Sequence, residues 1–81
     1  MDSKTTIFNV QELKEKLIKM TLDEVIDSLE FKGYNPLNQL VGYLKTGDDK
    51  YITSFNDARK KISEFDRSEI LVVLLKSYLG N

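Results

Sequence analysis

Eighty-one residues suffice for one domain, and with no cysteine and no histidine the chain has no disulfide, no thiolate nucleophile, no Ser/His or Cys/His pair and no His- or Cys-ligated metal. An apolar fraction of 41% and a charged fraction of 31% are those of an ordinary globular protein, while a net charge of -1 gives no overall field toward nucleic acid or anionic lipid. A core of this size is marginal without a staple, so a partner chain would help.

The first ten residues, MDSKTTIFNV, hold no apolar signal-peptide core, and the longest apolar run, Ile70 to Leu75, is too short to cross a bilayer. The chain is therefore expected to be cytoplasmic, with no membrane insertion. Ser3, Thr5 and Thr6 lie in a short polar tail, residues 1–9, that cannot bury itself and leaves its hydroxyls open to a kinase. Residues 10–81 are expected to form one helical domain.

Thr21 and Glu24 spell a T-x-x-E capping box, with Met20 and Val25 placed as a hydrophobic staple, and Leu22, Val25, Ile26 and Leu29 continue the helical stripe. Leu13, Leu17 and Ile18 upstream fit a helical face as well. Two readings stay open: a helix beginning at Thr21, or one unbroken helix from near Gln11. Gly33 is the stop. Asn35 suits an N-cap and Pro36 the first helical position of a second helix, running to about Thr46, with Leu37, Leu40, Val41 and Leu44 on one face and Gly47 closing it. Gly42 inside it costs about 1 kcal/mol relative to Ala, which predicts that another helix passes closely there.

Residues 48 to 53 form a connection, and Asp48-Asp49 lacks the spacing of a calcium loop. Ser54 with Asp57, followed by Phe55, Ala58, Ile62 and Phe65, predicts a further amphipathic helix. Asp66 with Glu69, and a Phe65–Ile70 staple, open the last helix, which Gly80 ends. The fold class is all-α, a small bundle of four or five short helices. In the last helix six consecutive apolar residues, Ile70 to Leu75, then Tyr78 and Leu79, surround the axis, so burial on several sides is expected. A homodimer provides it, with Leu71, Leu74, Leu75 and Tyr78, and Leu40 and Tyr43 of the second helix, at the interface. The alternative is a central helix in a monomer.

Four scattered glycines make no phosphate loop, no cofactor or metal site is expected, and paired carboxylates such as Asp23 with Asp27 fall on faces that look solvated. Arg59, Lys60 and Lys61 are the one basic cluster; on a helix three consecutive residues fan over about 200°, so an anion site or a helix-turn-helix is the alternative to a solvated surface.

The run LEFKGYNPLNQLVGYLKTGDDKYI, continuing through NDAR and DRSEI to LLKSYL, resembles the IreB/ReoM family of small regulatory phosphoproteins. Its members carry a GYNP-[IV]-NQ-[IV]-VGY-x-x-[ST]-GD-x-x-Y-[IV] segment, and the similarity spans about residues 20 to 79. The resemblance implies an all-helical, non-enzymatic homodimer phosphorylated by a membrane Ser/Thr kinase with extracellular PASTA repeats. It also implies restraint of cell-wall synthesis and intrinsic antibiotic resistance, with the Clp protease machinery and a peptidoglycan precursor enzyme as partners and no nucleic acid. Thr5-Thr6-Ile7-Phe8 matches the family's T-x-x-[FY] acceptor context with Thr5 as acceptor. Asp57-Ala58-Arg59 matches its D-A-R, and Arg67 its later arginine, which implies partner contacts at Asp57, Arg59 and Arg67. Where the family has an Arg-His-Lys run, this chain has Ser54-Phe55-Asn56.

Overall fold

The computed structural model describes residues 9–80, and among them the chain forms four α-helices, α1 (Val10–Phe31), α2 (Pro36–Thr46), α3 (Ala58–Ile62) and α4 (Arg67–Leu79), with single 3₁₀ turns at Asp49–Tyr51 and Phe55–Asp57. The tail hydroxyls, Thr5 included, lie outside the described residues.

Helix α1 is one unbroken element, capped by Asn9, whose side chain accepts the Gln11 N–H at 2.9 Å. The capping box expected at Thr21 does not start a helix, because Ile18, Leu22, Val25 and Leu29 form one buried stripe that runs straight through it. Burial of each such side chain is worth about 1.5–3 kcal/mol against roughly 1 kcal/mol for a cap, so the longer helix wins. Glu24, freed from capping, pairs with Lys61 of α3 at 3.4 Å. The helix ends as predicted at Gly33, whose φ of 85° lets the Tyr34 N–H reach the Leu29 carbonyl at 2.9 Å and its own N–H reach Glu30 at 3.0 Å.

Helix α2 also begins where expected, with the Asn35 side chain accepting the Asn38 N–H at 3.0 Å and Pro36 at the first position. Gly47, at φ 75°, closes it with an N–H bond of 2.7 Å to the Tyr43 carbonyl. The neighbour that needs Gly42 is not a helix. It is the ring of Tyr51, which a Cβ at position 42 would overlap. Gln39 fixes the same turn by donating from Nε2 to the Tyr51 carbonyl at 2.8 Å.

The helix expected from Ser54 is shorter than its sequence pattern. Ser54 makes no side-chain cap, and Asn56 and Asp57 both adopt left-handed backbone, with φ of 56° and 59°, before α3 begins at Ala58. Among residues with a Cβ, Asn and Asp tolerate that region best. The sharp turn leaves Phe55 outside, stacked on Phe31, and delivers Ala58 and Ile62 to the core. Helix α4 opens on the predicted reciprocal pair, with Glu69 Oε1 accepting the Asp66 N–H at 3.2 Å.

The core joins the α1 stripe to Tyr43 of α2, Ile52, Ala58 and Ile62 of α3, and Ile70 and Val73 of α4. The N-terminal half of α1 carries α4 through Lys14–Glu69 at 2.7 Å and Lys76–Glu15 at 2.8 Å; its C-terminal half carries α3. So α1, not α4, is the central helix, and the burial of the last helix on several sides is not found within one chain, where α4 buries only Ile70 and Val73.

Candidate interaction surfaces

Because six apolar residues encircle α4 and the core takes only Ile70 and Val73, the opposite side of the helix is apolar and wet. Leu71, Leu74 and Leu75 are 40–59% exposed, and Tyr78 is 88% exposed. Helix α2 extends this face: Leu37 and Val41 are exposed, and Val41, Leu44 and Lys45 line a shallow depression of about 310 Å³ with Leu71. The two helices thus present one continuous apolar patch. Of the six residues expected at an interface, Leu71, Leu74, Leu75 and Tyr78 lie on it. Leu40 is half-buried against the core and Tyr43 sits inside it at 5% exposure, so neither offers a partner much surface. Leu37 and Val41 take their place; their signal was the Leu37-Val41-Leu44 spacing along one stripe of α2.

The two arginines expected to meet partners are each tied to the chain's own backbone. Arg59, half-buried, donates from Nε to the Ile52 carbonyl at 2.9 Å, while its backbone N–H bonds Thr53 at 3.1 Å. Arg67 donates from Nη1 to the Leu44 carbonyl at 3.1 Å, satisfying one of the open carbonyls at the end of α2. Each guanidinium has five N–H donors, so these bonds leave others available. Asp57 is exposed at the left-handed turn before α3. Lys60 is exposed, whereas Lys61 is engaged by Glu24, and the five-residue α3 that bears this basic cluster makes only about one and a half turns, short for a helix that reads a groove.

The ion pairs between α1 and α4 polarise their members. A hydrogen bond from Lys76, then one from Gln11, holds the Glu15 carboxyl below the usual glutamate range; Lys14 does the same to Glu69, helped by the Asp66 N–H, and is itself raised by Glu69. Among the described residues no cluster of carboxylates is placed to hold a metal ion, and no helix is long and apolar enough to cross a membrane.

A family model for the IreB regulatory phosphoprotein matches residues 3–80. The chain belongs to the IreB family. The match takes in the tail hydroxyls together with every described helix, so the all-α domain seen here is the domain of an IreB regulatory phosphoprotein. Within it four positions of the segment that begins GYNP have a local explanation: Gly33 ends α1, Asn35 caps α2, Pro36 starts it, and Gly42 admits Tyr51.

Proposed function

We propose that this chain is a homodimeric, cytoplasmic regulator that acts without catalysis and is switched when a membrane Ser/Thr kinase with PASTA repeats phosphorylates Thr5. The observation that carries the dimer is the patch formed by Leu37, Val41, Leu71, Leu74, Leu75 and Tyr78. Soluble monomers rarely leave such a patch wet, and a second copy related by a two-fold axis covers both patches at once. Membership of the IreB family supports the regulatory role. By the same resemblance the regulated process is cell-wall precursor synthesis and intrinsic antibiotic resistance, with the Clp machinery and a peptidoglycan precursor enzyme as protein partners.

A phosphate on Thr5 adds about -1.5 to -2 charges to a short polar sequence, so the expected effect is on contacts with partners and not on the fold. The donors left on Arg59 and Arg67 are the groups of this domain suited to bind that phosphate or an acidic partner. Incubating the full chain with a PASTA-repeat kinase domain and mapping the product by mass spectrometry tests the switch. A single phosphate on Thr5, with an unchanged melting temperature, is the expected result; phosphate on Ser3 or Thr6 alone, or none, overturns the assignment.

A further inference from the structure

Three departures from what stability alone favours meet at the C-terminal end of α1. Phe31 is 74% exposed although it is stacked on Phe55, the ring centroids 4.8 Å apart and the planes 12° from parallel. The next turn, Asn56-Asp57, is held in left-handed backbone, uncommon for residues with a Cβ even where Asn and Asp tolerate it best. The last turn of α1 carries no basic residue; Glu30 lies in it and Asp27 just before it, where the macrodipole disfavours carboxylates, with Lys32 at the C-cap as the basic residue of that end. Among the described residues, neither carboxylate is in an ion pair, whereas nearby Glu24 is held by Lys61. Local rules broken together in one place mark a surface shaped by something other than stability.

The chemistry at that place selects its occupant. Lys32 already stands with Nζ 5.7 Å over the Phe55 ring, so the stack accepts a cation within its own structure. The outer side of Phe31 is open, and Asp27 lies one turn back on the neighbouring position of the same face. A planar cation can lie on the ring while its N–H groups pair with a carboxylate, which a guanidinium does and an ammonium does poorly. We propose that the Phe31–Phe55 stack, with Asp27 and Glu30, is a docking surface for an arginine-bearing segment of a partner protein. The surface is separate from the apolar face of α2 and α4 and does not depend on a dimer or on Thr5. Lys32, over the Phe55 ring, opposes the partner; of the charges close by along the chain, Lys60 opposes it and Asp23 and Asp57 favour it, while Lys16 and Lys19 lie two to four turns back along α1.

The test is a titration of the ¹⁵N-labelled full chain with a hexaarginine peptide, and separately with hexalysine, at about 0.15 M salt. Hexaarginine is expected to give saturable amide shifts confined to Asp27–Tyr34 and Phe55–Asp57. Hexalysine is expected to bind about two- to fivefold more weakly, and Phe31→Ala to weaken hexaarginine by about the same factor. Asp27→Asn with Glu30→Gln, exposed changes that leave the packing alone, weakens it further. Equal affinity for the two peptides, shifts spread evenly to Asp48, Asp49 and Glu64, or an unchanged affinity in the carboxylate variant overturns the proposal.

Discussion

Arg67, the first residue of α4, donates from Nη1 to the carbonyl of Leu44 near the end of α2, 23 residues earlier, and lays its guanidinium against Gly47. A residue that the family resemblance assigns to partner contact therefore also ends a helix. The glycine beneath it is required twice, once by its φ of 75° and once because a Cβ there would stand 2.8 Å from the guanidinium carbon.

Gly47→Ala is accordingly expected to cost about 1–2 kcal/mol from the left-handed backbone alone, and more from the displaced guanidinium. In an Arg67→Ala background the loss should shrink toward the backbone figure. Urea denaturation of the four proteins of this cycle measures the coupling; strict additivity would show that the guanidinium does not rest on Gly47.

At Gly42 the expectation changes sign with context. Alanine favours a helix interior by about 1 kcal/mol, but here its Cβ overlaps the Tyr51 ring, so Gly42→Ala should destabilise the wild type. With Tyr51→Ala already present, the same substitution should become neutral or stabilising. A stabilising effect of Gly42→Ala in the presence of Tyr51 would refute the contact.

Acid should loosen the docking of α4 on α1. Glu15 and Glu69 are held below the ordinary glutamate value in the folded protein, so their stabilisation is complete above that value and is lost as the pH falls through the lowered folded value. Lys14, raised by Glu69, acts in the opposite limb: its contribution is complete below the ordinary lysine value and fades as the pH rises through the raised one. Glu15→Gln with Glu69→Gln should flatten the acid limb of the urea midpoint against pH. Since these pairs lie at the surface, added salt should flatten it too. An acid limb as steep in the double variant as in the wild type would assign the loss to other carboxylates.

Leu74→Asp and Leu75→Asp separate folding from assembly. Both side chains are exposed in one chain, so the helical circular dichroism should survive while sedimentation shifts from dimer to monomer. A wild type that sediments as a monomer at micromolar concentration, or variants that remain dimers, would remove the α2/α4 interface.

What could be read from the sequence was local. The Gly33 stop, the Asn35-Pro36 start and the Asp66–Glu69 opening each depend on residues within four or five positions, and all three are found in the structure. The misreadings came from competition that a window cannot weigh. Thr21 lost to a stripe whose burial is decided by α3 and α4, and Ser54 lost to a left-handed turn that delivers Ala58 and Ile62 to a core built on a helix more than twenty residues away. Tyr43 was taken for surface because periodicity places it beside Leu40 without saying which of α2's two apolar sides meets α1. The arginine–carbonyl bonds at Ile52 and Leu44 leave no trace in spacing at all.

Helix α2 sends a single fully buried side chain, Tyr43, into the shared core, whereas α1 sends four. Within one chain it is thus the element with the least to lose by detaching, and its amides should exchange with solvent by local opening well before those of α1. A second copy seated on Leu37 and Val41 would close that route. The protection of α2, unlike that of α1, would then rise with protein concentration, so that assembly is written into the opening rate of one helix.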